Sequence, residues 1–342
     1  MKVIRPASGL VLGGLSALLL VALLCALMIG ATGFGPGALW TNPHSEAARA
    51  NWLVISQIRA PRAVLALLTG AALAASGAVM QGMFRNPLAD PGLTGVSSGA
   101  ALGAALVIVL GNAGTGAGLV AHWAVPAGGI AGALASTVVL YLFASRGRAS
   151  SPTLIILAGV ALSAFSGALT GILVFRANDT ALRDLTFWTM GSLSGAAWPQ
   201  IAVLLPVLLP AALIMARIAG GLNVLLLGDE DAALTGCPVE RTRRLAMFCV
   251  ALACGPIVSF VGVIGFVGVV VPHFVRLVSG PDHRVLLPAS ALLGAALLLV
   301  ADTLARIIAI PSDVPVGVVT AAIGAPVFVW LLARSQQTDR LS

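Results

Sequence analysis

Charge spacing is the feature that most restricts what this chain can become. Eight long windows carry no Asp, Glu, Lys or Arg: residues 6–45, 63–84, 91–145, 149–175, 185–216, 245–275, 285–301 and 314–333. About 20 consecutive apolar residues cross a bilayer as a helix, and each window reaches or nearly reaches that length. Only 9% of the 342 residues are charged and 59% are hydrophobic, against roughly 25% charged in a soluble domain. A bilayer is the simplest solvent for such a chain, because no aqueous fold of this length hides so much apolar surface.

The windows resolve into spans. Window 91–145 is interrupted by Gly111-Asn112-Ala113-Gly114-Thr115-Gly116 and holds two helices. Window 6–45 holds one, followed by a Gly/Pro-rich exit from Gly33 to Pro43. Its apolar part, Leu10 to Ile29, exceeds the usual signal-peptide core of roughly 7–15 residues, so a retained first span is expected. Window 245–275 contains Gly255-Pro256 and reads as one kinked helix or two shorter ones. Proline removes a helix hydrogen bond, and charge bias decides between the readings. One span here leaves ten basic residues inside and nine outside; two spans leave thirteen inside and six outside. The expectation is therefore an all-α, polytopic membrane protein with ten transmembrane helices and both termini cytoplasmic. These helices fall near 10–31, 62–82, 94–110, 119–143, 153–174, 195–217, 243–255, 261–271, 285–309 and 315–334. Residues 1–342 form a single transmembrane domain with a cytoplasmic segment at about 218–244. Gly95, Gly99 and Gly103, and Gly128 with Gly132, are expected to let helices pack closely.

Several function classes are disfavoured. The net charge of +7 is spread singly or in twos and threes, and there is one Tyr, so the footprint of a nucleic-acid binder is missing. Lys2 is the only lysine, so no nucleotide-binding loop of the G-x-x-x-x-G-K-[ST] type exists. Gly95-Val96-Ser97-Ser98-Gly99 matches G-x-S-x-G, but a nucleophile elbow needs a strand–turn–helix context; here the serines open a membrane helix. His44, His122, His273 and His283 form no H-E-x-x-H, and Cys25, Cys237, Cys249 and Cys254 form no C-x-x-C, so no metal site is expected. Ion-coupled carriers need carboxylates within the bilayer. Asp302 alone lies well inside a span, with Arg306 four residues on, the spacing of a helical pair. The absence of an acidic relay weakens an ion-coupled transporter.

Two features call for a partner. Arg59, Arg62 and Arg306 fall on the outer side and read as a docking surface for acidic groups. Segment 217–244 has Asp229-Glu230-Asp231 early and Arg241, Arg243 and Arg244 late, which suits a short helix dipole. Gly236 and Pro238 then end that helix and permit a second short one. The segment reads as a docking element.

At these residues the chain resembles the iron-chelate and cobalamin permeases of binding-protein-dependent ATP-binding-cassette importers. The resemblance rests on RAPR (59–62), GAALAASGAVMQGMFRNPLADPGLTGVSSGA (70–100), FWTMGSLSG (187–195), GFVGVVVPHFVRLVSGPDHRVLLP (265–288), ADTLAR (301–306) and PVGVVTAAIGAPVFVWLL (315–332). It implies a homodimer in the bacterial inner membrane, two cytoplasmic ATPase subunits that carry ATP and Mg, and a periplasmic substrate-binding protein. It implies no cofactor on this chain and no covalent chemistry. Arg59, Arg62 and Arg306 would receive acidic residues of the binding protein. Leu227, Gly228, Asp229, Glu230, Ala233, Gly236, Val239 and Arg241 would form the ATPase coupling loop. Asn86 and Leu88, with Ser151 and Thr153, would narrow the cytoplasmic end of the pathway. The fifth helix, 153–174, would line that pathway near the dimer axis and bring Arg176 and Asp179 to its mouth, facing substrate carboxylates. The implied cargo is haem or a ferric siderophore, with FWTMGSLSG tilting towards haem and cobalamin as the alternative.

Overall fold

The structure, a computed structural model, describes residues 7–30, 45–111, 119–144, 152–310 and 312–339. Among these residues every regular element is helical. The α-helices are α1 (Ser8–Met28), α2 (Glu46–Leu53), α3 (Ala60–Phe84), α4 (Val96–Gly111), α5 (Leu119–Ala144), α6 (Pro152–Arg176), α7 (Asp179–Thr189), α8 (Trp198–Leu225), α9 (Asp229–Leu234), α10 (Val239–Val261), α11 (Val267–Ser279), α12 (His283–Ile308) and α13 (Val316–Asp339). A π-helical turn, Val54–Arg59, joins α2 to α3, and a 3₁₀ turn, Pro91–Thr94, precedes α4. By length and composition seven helices among the described residues can cross a membrane, and Val96–Gly111, Val267–Ser279 and Val316–Trp330 are shorter apolar helices. Lys2, Arg5, Arg146, Arg148 and Arg340, which enter the charge count, lie outside the described residues, as do the Gly33–Pro43 exit and Asn112–Gly116.

Helix α3 is the centre of the bundle. Most of its residues are buried, and α12, α11, α10 and α8 pack around it. Gly70 faces the backbone of Gly294 on α12, and Gly77 faces Gly268 on α11 so closely that a Cβ at either position would overlap the opposing carbonyl. Lipid gives helices no hydrophobic reason to associate, so such close backbone approach supplies the packing energy. The same device joins α4 to α5, where Gly99 meets Gly132 and Gly103 meets Gly128. This is the role expected for those glycines.

The structure moves three boundaries. Helix α10 runs through Gly255-Pro256 without a break and ends at Val261, capped by Gly262, so the split of window 245–275 falls nearly two turns later than expected. Proline inside a membrane helix is tolerated when neighbours satisfy the backbone. Gly262 has φ +80° and its Cα hydrogens lie against the Trp188 carbonyl, so no other residue fits there. Helix α11 then covers Val267–Ser279 rather than 261–271. Second, the 218–244 segment is shorter than expected, because α8 continues to Leu225 with Gly221 packed on Thr242 of α10. Only α9 is a separate short helix; the expected second one is the first part of α10. Third, the helix expected at 195–217 is α8, which begins at Trp198 and runs to Leu225; FWTMGSLSG lies before it. That stretch ends α7 and turns at Gly191.

Replacing Gly70 or Gly77 by Val should cost about 3 kcal/mol or more, since backbone must separate to admit the side chain. Size-exclusion profiles in detergent should show loss of monodisperse protein for both. Gly13→Val on α1, where nothing lies within 4 Å, should leave the profile unchanged.

Candidate functional site

The bundle carries a polar cluster at each end of α3. At its N-terminal end, Pro61 opens the helix, where a missing N–H costs nothing, and places Arg59 and Arg62 one turn apart. Arg62 grips two carboxylates. Its Nε donates to both oxygens of Asp302 at 2.9 and 3.1 Å, and a terminal nitrogen donates to Asp313 at 2.6 Å. Asp302 also faces Arg306 Nε at 3.3 Å, the i,i+4 pair expected from spacing. Arg306 donates to the Ala26 carbonyl at 3.1 Å, and Arg59 to those of Leu27 and Met28 at 3.0 Å. These are C-terminal carbonyls of α1, which lack partners within the helix and favour a cation.

The three arginines expected to dock acidic groups are already paired within the chain. The three arginines do gather at one end of the bundle, but they are 4%, 8% and 7% exposed for Arg59, Arg62 and Arg306. Their charge is used to fasten α1, α3 and α12 together. Asp313, at 37% side-chain exposure, is the accessible member. Its role was not legible, because it has no helical partner at i±4 and meets Arg62 only through the fold.

At the opposite end, Arg85 terminates α3 in the left-handed conformation, φ 50°. Asn86 Oδ1 accepts from the Leu88 amide at 2.9 Å, a local turn that leaves Asn86, Pro87 and Leu88 exposed while Ala89 is buried. Asp90 Oδ1 accepts from the Gly92 amide at 2.7 Å and caps the 3₁₀ turn. Ser136 of α5 and Ser98 both donate to the Gly95 carbonyl, and Ser98 also bonds Ser163 of α6 at 3.0 Å. Ser98 therefore serves helix packing. Thr153 is exposed in the first turn of α6, and Ser151 lies outside the described residues. Arg176, at the end of α6, and Asp179, which opens α7, are both exposed.

The coupling segment lies at this second end. Leu227 is 61% exposed and Leu234 86%; Glu230, Ala233, Gly236 and Arg241 are also exposed, while Gly228 and Val239 are partly covered. Asp229 receives Arg243 at 2.5 Å and Arg85 at 3.5 Å. The hydrogen bond from Arg243, aided by both positive charges, holds its carboxyl below the usual range. A second network adjoins it. Asn223 of α8 donates to Asp282 at 2.6 Å and accepts from the His283 amide at 2.8 Å. The Arg284 amide and Asn223 hold the Asp282 carboxyl low as well. Neither network has a sequence signature, since both join residues far apart in the chain.

Comparison with known proteins follows from this geometry. A model of the FecCD transport family matches residues 18–334. The chain belongs to the FecCD transport family. The hemin transport system permease HmuU of Yersinia pestis is 41% identical over 96% of each chain. The cobalamin import permease BtuC of Halobacterium salinarum is 45% identical over 82% of this chain and 73% of its own length. The vitamin B12 import permease BtuC of an Escherichia coli strain is 42% identical over 94% of each. A solved structure, described as a metal-chelate type ABC transporter in an inward-facing conformation, superposes with TM-score 0.82 at 31% identity, covering 94% of this chain and 98% of its own. This FecCD protein is thus a multi-pass membrane permease, a transport component rather than an enzyme.

Two outcomes test the clusters. Asp302→Ala leaves two buried guanidinium groups short of a carboxylate, which should cost about 3 kcal/mol, read as a lower thermal midpoint in detergent than Asp313→Ala gives. Asp229 has a depressed pKa, so its pairing is fully present above the unfolded carboxylate value of about 3.9 and is lost as pH falls through the lower folded value. The protection factors of the α9 amides, which divide out the intrinsic pH dependence of exchange, should stay flat from neutral pH down to about 4 and fall only below it; a fall near pH 6 would contradict the assignment.

Proposed function

We propose that this chain forms the membrane pathway of an ATP-driven importer that moves a metal chelate, haem in the first reading, from a periplasmic binding protein to the cytoplasm of a bacterium. The observation that carries the reading is likeness to a hemin permease across nearly the whole of both chains, joined to an exposed apolar coupling turn at Leu227 and Leu234. Cobalamin is the second reading, supported by relatives of similar identity.

The seven long and three shorter apolar helices suit ten spans. Together with the bias of basic residues, this supports a reading with both termini and α9 on the cytoplasmic side of the inner membrane. Helix α6 presents Leu157, Phe165, Ile172 and Phe175 largely uncovered, which suits a pathway shared with a second copy. Asn86 and Leu88, with Thr153 and Ser151, would narrow its cytoplasmic end, and Arg176 and Asp179 would flank its mouth. Two cytoplasmic ATPases, which carry ATP and Mg, would dock on α9. At the arginine-rich end, a carboxylate of the binding protein would reach Arg62 by exchanging with the half-exposed Asp313, with Arg59 and Arg306 holding the site.

The test is ATP hydrolysis by the reconstituted complex with its binding protein. Haem should stimulate it more than cobalamin or a ferric siderophore. Stimulation by cobalamin alone would select the second reading. Uptake by vesicles that hold this chain alone, driven by a proton gradient, would defeat both.

A further inference from the structure

The carboxylate of Asp229 is shared unequally. Arg243, its short-range partner, is 2% exposed and sits in the body of α10. Arg85, its long-range partner at 3.5 Å, is 39% exposed. Exposed ion pairs at such distances are weak and easily exchanged with water, whereas the buried guanidinium of Arg243 is costly to leave without its carboxylate. One contact is thus an anchor and the other is breakable.

The two contacts belong to different elements. Asp229 opens α9, and α9 is bounded by Gly228 at φ +115° and Gly236 at φ +81°, two joints that other residues adopt only with strain. Arg85 is the left-handed residue between α3 and the Asn86-Pro87-Leu88 turn. Its guanidinium lies over Gly228, where a Cβ would come within 3.4 Å of it. The structure therefore brings the hinge of the coupling helix and the hinge of the exposed turn to one carboxylate.

We propose that Asp229 is a latch: it stays on Arg243 throughout and takes up or releases Arg85, so that tilting of α9 moves the Asn86–Leu88 turn. Arg85 and Asp229 are positioning residues in this scheme, acting through Leu88. The inference rests on the reading of α9 as the ATPase-docking helix, and deepens it by naming the side chains through which docking reaches the pathway.

The test uses the full complex of permease, ATPase and binding protein in lipid nanodiscs. Leu88→Cys is the probe, in a background where Cys25 and Cys237, the cysteines not buried, are replaced by Ala. Maleimide labelling is measured with and without a non-hydrolysable ATP analogue. The parent should change its labelling rate about fivefold or more on nucleotide binding, and Arg85→Gln should reduce that change below about twofold. Arg85→Lys, which keeps the charge, should restore most of it, and ATPase co-purification should be the same in all three. Asp229→Asn should reproduce the loss, so the result does not depend on one variant. If the parent responds and Arg85→Gln responds equally, the latch is overturned while docking stands. If the ATPase is absent from the parent complex, the docking reading falls and the latch falls with it; if the ATPase is bound but the parent is insensitive to nucleotide, the latch alone is overturned.

Discussion

Everything in this structure depends on how closely α3 can approach its neighbours. At Gly70 against Gly294 and Gly77 against Gly268, backbone meets backbone. Within a bilayer this contact is a main source of helix association, since lipid and side chains are equally apolar. The consequence is a rigid central rod. Its two ends are fixed relative to one another, and each carries a polar cluster whose members come from distant parts of the sequence.

The two clusters are built on opposite principles. At the Arg62 end, buried guanidinium groups meet a carboxylate at 1% exposure and the spare carbonyls of α1. Breaking that arrangement would leave charges stranded, so it holds. At the Asp229 end the carboxylate is 38% exposed and one of its partners is as accessible. Water can replace that partner at little cost. The firm cluster and the accessible one therefore sit at opposite ends of α3.

Much of the fold was legible from charge spacing alone. Charge-free windows found the long apolar helices, and the Gly99/Gly103 and Gly128/Gly132 spacing marked close-packing positions, though not that they would face one another. The Asp302–Arg306 pair was readable because i,i+4 is a local relation. What failed was also local in form but decided elsewhere. Gly255-Pro256 looks like a break, yet α10 runs through it, because the close contact of Gly262 with Trp188 sets where the helix must end. That Arg59, Arg62 and Arg306 are buried together was not legible, since nothing in the sequence shows that the end of α1 supplies carbonyls for them.

By itself, then, the sequence determined that the chain lives in a bilayer, that it is helical, and which family pattern it follows, because each is a property of runs, spacings and composition. Only the tertiary structure decided which polar groups meet. Asp313 with Arg62, Asn223 with His283, and Asp229 between Arg85 and Arg243 are separated in sequence by 251, 60, and 144 and 14 positions respectively. Contacts at such separations carry no periodicity. They arise from the packing of α3, and the packing is set by backbone approach at a few small residues whose partners no local pattern names.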